Sequence, residues 1–210
     1  MVDTYLNKEW FNLSSKYCDY HKSECILNEL KLAYNNHKRS YHNLTHIENM
    51  LVLADKEKQH LIDYDAIRFA IWFHDAVYRV TNSNNEVKSA EMARCTLIEM
   101  GVPTETRKIT IQLILASSNH TSKEEGSNYD FNFFLDADLW ILGQPWNDYT
   151  TYAKNIRKEY SIYPNTIYNK GRKKVLNSYL QRSIIYKTNW FRKNYEQQAR
   201  KNITKEIEQL

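Results

Sequence analysis

Three groups of titratable side chains lie in stretches of this sequence where apolar residues predominate. They are His42 with His46, the adjacent pair His74–Asp75, and Asp136 with Asp138. A carboxylate buried without a partner is costly in free energy, so Asp75 must be neutralised by another group. A metal ion bound by the imidazole and the carboxylate satisfies that requirement, and so does a His–Asp pair hydrogen-bonded to backbone and hydroxyl groups. The doublet alone does not decide between these two interpretations.

Spacing limits which of these side chains can share a site. His42 and His46 are four residues apart, so within one helix they would lie on one face, as in helical metal sites. If Asn43 instead caps that helix, only His46 is placed on it. Asp136 and Asp138 are two residues apart, roughly 200° around a helix, so at most one of them can face a given site. The other then needs a separate partner, such as an arginine.

The chain around these side chains is predicted to be helical. Residues 66–79 are apolar on every side of a helical wheel, which is typical of a helix buried in the middle of a domain, and His74 and Asp75 interrupt this pattern. The helix is predicted to begin near Asp63 or Asp65. Only four Gly and three Pro occur in 210 residues, which leaves little material for turns and favours an all-α fold.

Capping residues, prolines and glycines divide the rest of the sequence into further helices. The predicted helices are 4–18, 23–35, one capped by Asn43 and running to Leu53, the buried 66–79, 86–100 ended by Gly101, one opened by Pro103 and ending near Ser117, 130–142 closed by Gly143, and three from Trp146 interrupted near Pro164 and around Thr188. No repeat or linker separates them. The sequence therefore predicts a single domain, 1–210, with a metal-binding core of about 39–143 and a C-terminal helical extension of about 146–210.

Composition narrows the partners and the compartment. The net charge of +4 and the pI near 8.8 suit small anionic substrates but fall short of a dedicated nucleic-acid binder, so nucleic-acid binding through the charged final helix is the weakest alternative. No apolar run approaches the roughly 20 residues needed to cross a bilayer, so no membrane is expected. Three widely spaced cysteines, with no C-x-x-C pair and no signal peptide, predict reduced thiols in a cytoplasmic protein. The sequence leaves a homo-oligomer open.

The order of these groups along the chain (His, then His-Asp, then Asp) resembles the HD superfamily of metal-dependent phosphohydrolases, which takes its name from the His-Asp doublet. The resemblance implies an all-α HD-domain helical bundle in which four ligands on separate helices hold one divalent metal ion. Carried over to this sequence, the ligands are His46, His74, Asp75 and Asp138. The second carboxylate of Asp136-Ala137-Asp138 is taken because the family's Asp-x-Asp stretches usually ligate through the second.

Longer stretches are similar to a small bacterial branch of this superfamily, known mainly as predicted phosphohydrolases. These stretches are Arg39-Ser-Tyr-His-Asn-Leu-Thr-His46-Ile, Trp72-Phe-His-Asp-Ala-Val-Tyr78, Asn85-Glu86-x-x-Ser89-Ala90, Asp136-Ala-Asp-Leu-x-Ile-Leu-Gly143, Gly171-Arg172-x-x-Val-Leu and Ala199-Arg200-x-Asn202. They span residues 39–202, nearly the whole chain. The Gly-Tyr-Pro extension of the cyclic-dinucleotide phosphodiesterases does not occur. The resemblance therefore implies a reaction class, and it leaves the substrate open.

A mixed nitrogen and oxygen ligand set suits Mn, Fe, Co, Ni or Zn, with Mg less favoured. Such an ion would activate a water molecule and polarise a phosphate, and a neighbouring acid or base must then handle protons. Glu86 and His120 are the predicted catalytic residues; their simpler interpretations are a first-turn acid stabilised by the helix dipole and an exposed loop histidine. Arg39, His42 and Arg172 are the predicted substrate-binding residues, because an arginine can bind phosphate oxygens through two hydrogen bonds.

Together these features predict a metal-dependent phosphohydrolase that acts on a small nucleotide or another phosphorylated metabolite. Its reaction would be that of a phosphomonoesterase or of a nucleotide pyrophosphohydrolase. The alternative is a non-catalytic metal-binding helical module that acts through a partner or ligand. An open metal position would favour the enzyme, and a closed coordination sphere would favour the module.

Overall fold

The computed structural model describes residues 2–118 and 128–210. Within these ranges the chain forms ten α-helices, two short 3-10 turns and no β-strand, so the prediction of an all-α fold is confirmed. The helices are α1 (Val2–Ser14), α2 (Tyr20–Tyr34), α3 (Leu44–Glu57), α4 (Tyr64–Phe73), α5 (Asn85–Glu99), α6 (Thr104–Ser117), α7 (Tyr129–Asp138), α8 (Trp146–Glu159), α9 (Asn165–Leu180) and α10 (Asn189–Gln209). The 3-10 turns are Lys58–His60 and Trp140–Gly143, so the predicted helix 130–142 is divided into α7 and a 3-10 turn.

Side-chain caps fix the beginnings of the two helices that carry the His and His-Asp residues. The Asn43 side chain accepts a hydrogen bond from the Thr45 N–H at 2.9 Å, and the Asp63 carboxylate accepts one from the Ala66 N–H at 2.9 Å. The buried Asp130 carboxylate also accepts from the Asp63 N–H at 2.8 Å. Helices α3 and α4 therefore begin where the sequence predicted, and a carboxylate from α7 holds the start of α4.

The chain divides into two compact units, Met1–Phe134 and Leu135–Leu210, which we call the N-terminal unit and the C-terminal unit. The division falls within α7, whereas the sequence suggested a change from core to extension between 143 and 146. The predicted metal-binding core of about 39–143 thus includes the first residues of the C-terminal unit.

Helix α4 is the centre of the N-terminal unit. Its residues from Ala66 to Phe73 are all buried. The indole of Trp10 in α1 packs edge-on against Trp72, with ring centroids 5.4 Å apart, and its Nε1–H donates to the Ser23 carbonyl at 2.9 Å. Each large apolar side chain buried in this way contributes about 1.5–3 kcal/mol, so the end of α4 is held firmly.

The C-terminal unit is organised by close packing of α10 on the Trp140–Gly143 turn. A Cβ added at Gly143 would lie 2.5 Å from Tyr195 Cβ and 2.9 Å from the Tyr195 carbonyl oxygen. The Asn202 amide donates to the carbonyls of Leu142 at 2.9 Å and Gln144 at 2.7 Å, satisfying backbone oxygens on either side of the glycine. Gly143 is therefore required by the approach of α10. Among the described helices, none is long and apolar enough to cross a membrane.

Candidate metal centre

The His-Asp doublet lies at the end of α4. The apolar pattern predicted a helix through residue 79, but α4 ends at Phe73 and His74 is its C-cap. Arg39 donates from Nη1 to the Asp75 carbonyl at 2.5 Å and from Nη2 to the Ala76 carbonyl at 2.9 Å, which takes acceptors that a continuing helix would use. The Val77 N–H donates to Ser89 Oγ at 3.0 Å. Contacts from outside the helix thus redirect the chain immediately after the doublet.

Donor atoms of three predicted ligands converge within the N-terminal unit. His46 lies in the first turn of α3, and one ligand atom each from His46, His74 and Asp75 lies within 4.8 Å of the others. The Nε2 atoms of the two histidines are 3.3 Å apart, and His74 Nε2 is 3.1 Å from Asp75 Oδ2. The structure therefore brings together three of the four predicted metal-binding residues.

The His74 ring is oriented by its own helix. Its Nδ1–H donates to the Ile71 carbonyl at 3.0 Å, which leaves Nε2 without a proton in the neutral ring. The Nε2 lone pair and the Asp75 oxygen, 3.1 Å apart, repel each other unless a proton or a cation lies between them. A backbone carbonyl that orients a histidine in this way is a common companion of metal ligation.

The spacing of the donor atoms fits a metal ion. Two ligand atoms bound to one ion at about 2.0–2.1 Å lie about 2.8–3.4 Å apart for octahedral to tetrahedral angles. The distances of 3.3 Å between the histidine nitrogens and 3.1 Å between His74 and Asp75 fall in that range. Two imidazoles and a carboxylate are also the mixed donor set that Mn, Fe, Co, Ni and Zn accept. These residues fit such an ion, and binding of one stays a prediction.

The two imidazoles are buried. His46 and His74 are 4% and 1% exposed, and the Phe134 ring meets His74 edge-on at 5.8 Å. Few competing water dipoles reach such a site, so an ion-ligand attraction there is stronger than at the surface. The side chain of Asp75 is 15% exposed, against 2% for His74. Access from solvent is therefore on the Asp75 side.

His42 and Arg39 lie next to this cluster. His42 precedes the Asn43 cap and is therefore outside α3; its ring stacks on Tyr78 at 4.2 Å and lies 6.2 Å from the His46 ring. Arg39 contacts the backbone that follows His74, and its guanidinium packs over the rings of Tyr34 and Tyr78 at 5.1 and 5.5 Å. Substrate binding by Arg39 and His42 stays a prediction, and Arg39 gains a positioning role that the sequence did not suggest.

Asn85 and Ser89 hold the loop between the doublet and α5. The Asn85 side chain accepts from the Arg79 N–H at 3.1 Å and donates to the Arg79 carbonyl at 2.9 Å. The buried Ser89 Oγ binds Val77 as described above. Both residues occurred in a stretch singled out in the sequence, but nothing in a single sequence indicates their backbone partners. They place Glu86 in the first turn of α5, where its carboxylate makes no hydrogen bond or ion pair with the described part of the chain.

Asp136 has a structural partner within the C-terminal unit. Its carboxylate accepts from the N–H groups of Lys187 and Thr188, both at 2.7 Å, and from the Thr188 hydroxyl at 2.9 Å. Burial raises the pKa of Asp136 to about 6, and these hydrogen bonds oppose the shift. The sequence required a separate partner for one of the two aspartates; it is the backbone at the start of α10, rather than an arginine. Asp138 is half-buried in the same unit, and ligation by it stays a prediction.

Two further predicted residues complete the set. Arg172 is buried in the C-terminal unit, where its Nε and Nη2 donate to Glu206 at 2.8 and 3.0 Å and its Nη1 donates to the Tyr152 hydroxyl at 3.2 Å. Glu206 neutralises the charge of Arg172, and substrate binding by Arg172 stays a prediction. His120 lies outside the described residues.

Comparisons with protein-family models, curated proteins and solved structures gave no significant match.

Proposed function

We propose that this chain is a metal-dependent phosphohydrolase that acts on a small nucleotide or another phosphorylated metabolite. The observation that supports the proposal is the convergence of His46, His74 and Asp75 to within 4.8 Å, with both imidazoles buried. These residues would hold one divalent ion, with Asp138 as the predicted fourth ligand. When bound, such an ion lowers the pKa of a water ligand and polarises a phosphoryl oxygen.

The other residues around the cluster have roles that their contacts suggest. The Ile71 carbonyl fixes the ring of His74, and Arg39 fixes the backbone of Asp75, so both ligands are preorganised. The exposed side of Asp75 is the approach for substrate. Glu86 begins the helix that follows the doublet and is the predicted group that takes or gives the proton. A preorganised site with one accessible side is what hydrolysis by an activated water requires.

Metal content and hydrolysis together test the proposal. Wild-type protein reconstituted separately with Mn, Fe, Co, Ni and Zn should bind about one ion per chain and hydrolyse a member of a panel of nucleoside monophosphates and nucleotide pyrophosphates. His74→Ala should lose the ion, because it removes the nitrogen that lies within 3.3 Å of both the His46 and the Asp75 donor atoms. His21→Ala, at an exposed position of α2, is the matched control and should keep it. Wild-type protein that takes up no ion would refute the proposal.

Glu86→Gln separates an enzyme from a metal-binding module. It should keep the ion but reduce turnover by about 100-fold or more, the usual contribution of a general acid or base. Glu91→Gln, at an exposed position of the same helix, should turn over like wild type. If the loaded wild-type protein hydrolyses nothing in the panel, the non-catalytic module becomes the better interpretation. The deep burial of both imidazoles is the observation that favours that second candidate.

A further inference from the structure

Charge is distributed unequally between the two units. The N-terminal unit contains 15 Lys and Arg against 18 Asp and Glu, whereas the C-terminal unit contains 14 against 7. Residues 160–195 include no acidic residue at all. The net charge of +4 is therefore the sum of a slightly acidic N-terminal unit and a strongly basic C-terminal unit. A basic protein surface attracts anions.

The few acidic side chains of the C-terminal unit are mostly engaged inside it. Asp136, Glu159 and Glu206 are buried, and Glu196 accepts from the Ile185 N–H at 3.0 Å and pairs with Arg200 at 2.8 Å. The lysines, in contrast, are mainly on the surface. The exposed lysines of this unit are Lys154, Lys158, Lys170, Lys174, Lys193, Lys201 and Lys205. The unit thus presents seven exposed lysines to solvent against two exposed carboxylates, Asp148 and Glu208.

A cleft of about 360 Å³ lies within this basic unit, between α8, the start of α9 and the end of α10. Its aromatic lining includes Trp146 and Tyr168, and its cationic lining consists of Lys154 and Arg157. The volume is at the small end of the range of about 300–1,000 Å³ for ligand sites in proteins. The cleft is therefore large enough for a ligand of about one nucleotide.

The two cationic side chains that line the cleft lack acidic partners in the described part of the chain. Arg157 is held by neutral oxygens only: the carbonyls of Tyr160 at 2.9 Å and Tyr163 at 3.0 Å, and the Asn165 side chain at 2.8 Å. The Lys154 ammonium makes no hydrogen bond or ion pair with the described residues.

Glu206 is the one carboxylate side chain among the described lining residues, and Arg172 neutralises it at 2.8 Å. An anion entering the cleft would thus meet the Lys154 ammonium and the Arg157 guanidinium. No described carboxylate neutralises Arg157, although its Nε, Nη1 and Nη2 already donate to neutral oxygens. A phosphate group is such an anion.

The aromatic rings of the cleft already form cation–aromatic contacts. The Lys205 ammonium lies 4.1 Å from the Trp146 ring centroid, and the Arg157 guanidinium lies 4.7 Å from that of Tyr168. Trp146 also stacks on Tyr149 with only 18° between the ring planes. Flat rings beside cations are the combination on which nucleobases stack while their phosphates are held.

We propose that this cleft of the C-terminal unit binds a mononucleotide, with its base against Trp146 and its phosphate at Lys154 and Arg157. The site shares no residue with the candidate metal centre, so the proposal does not depend on phosphohydrolase activity. A free nucleotide and a nucleotide within a single strand have this chemistry in common, and the size of the cleft favours the free form.

Calorimetric titration of the full-length protein tests this site. The titrations are made in EDTA, so that no ion is available to the metal centre, with AMP, adenosine, ribose 5-phosphate and a single-stranded decanucleotide as probes. AMP should bind, and adenosine and ribose 5-phosphate should each bind at least about tenfold more weakly, since one lacks the phosphate and the other lacks the base. Lys154→Gln should weaken AMP binding by about tenfold or more. Lys158→Gln is the matched control, one turn further along α8 and outside the lining, and should bind AMP like wild type.

Three results would overturn the proposal. Absence of AMP binding to wild-type protein would remove the site. Equal AMP affinity in Lys154→Gln and Lys158→Gln would place the binding elsewhere. Binding of the decanucleotide without binding of AMP would assign the recognition to the whole basic surface, rather than to the cleft.

Discussion

Arg39 acts on the candidate metal centre through the backbone. Its two bonds, to the carbonyls of Asp75 at 2.5 Å and Ala76 at 2.9 Å, require the fork of a guanidinium. Arg39→Lys keeps the charge but replaces the rigid fork with one flexible ammonium, so Asp75 should be held less firmly. We expect about 10–100-fold weaker metal binding, the usual effect of losing an outer partner, measured by competition with a chelating dye. Arg79→Lys, at an exposed position of the following loop, should bind the ion like wild type.

Asp136 and Asp138 should respond differently to the same substitution. Asp138→Asn should reduce the metal content, since it replaces the predicted fourth ligand. Asp136→Asn should keep the ion but lower the free energy of unfolding by about 1–3 kcal/mol, because the new amide group would meet an N–H donor at the start of α10. Metal analysis and urea denaturation of both variants distinguish these effects. Metal loss in Asp136→Asn alone would reverse the assignment of the ligand.

The beginnings of α3 and α4 could be predicted from the sequence, whereas the end of α4 could not. Helix α2 begins at Tyr20 behind an Asp19 cap, three residues before the predicted 23. Asn43 and Asp63 are local signals, because each cap binds an N–H only two or three residues away. The end of α4 is set instead by Arg39 and Ser89, which are distant in sequence from Phe73. Their backbone partners belong to the tertiary structure, so a pattern of apolar residues extended the helix beyond its real end.

The Trp140–Gly143 turn provides a test at the level of an element. Gly143→Ala should destabilise the protein by about 1–3 kcal/mol, because its Cβ would overlap Tyr195 Cβ at 2.5 Å and force α10 away. Gly171→Ala is the matched control: nothing lies within 4 Å of its Cβ, and alanine in a helix interior is favoured over glycine by about 0.5–1 kcal/mol. Thermal denaturation should therefore shift in opposite directions. A Gly143→Ala protein as stable as wild type would mean that α10 can move away without loss.

At the scale of the whole molecule, the sequence could suggest the candidate ligands but not the division between the units. That division lies inside α7, in a continuous helix with no Gly, Pro or linker composition to mark it. Without that division, the net charge of the whole chain does not show that one unit is slightly acidic and the other strongly basic. The grouping of His46 with His74 is an expectation carried over from the family resemblance of the motifs around them, because spacing alone does not pair these residues. The cleft of the C-terminal unit has no comparable signal in the sequence.

The two units should respond unequally to the metal. Three candidate ligands lie in α3 and at the end of α4, so a bound ion stabilises those segments directly. We expect added metal to slow amide hydrogen exchange in α3 and α4 more than in α9, as measured by mass spectrometry. The His74→Ala protein should show no such slowing. Equal slowing in α9 would mean that the two units open as one cooperative unit.

The separation of the two histidines along the chain also bears on the order of folding. His46 and His74 are 28 residues apart, and α3 and α4 account for most of that interval. Closing so short a loop costs little entropy compared with contacts that join the ends of the chain. Contacts of low sequence separation are also those that speed folding. The nitrogen ligands can therefore meet as soon as this single helical hairpin forms, so that an ion captured there would help to nucleate the N-terminal unit.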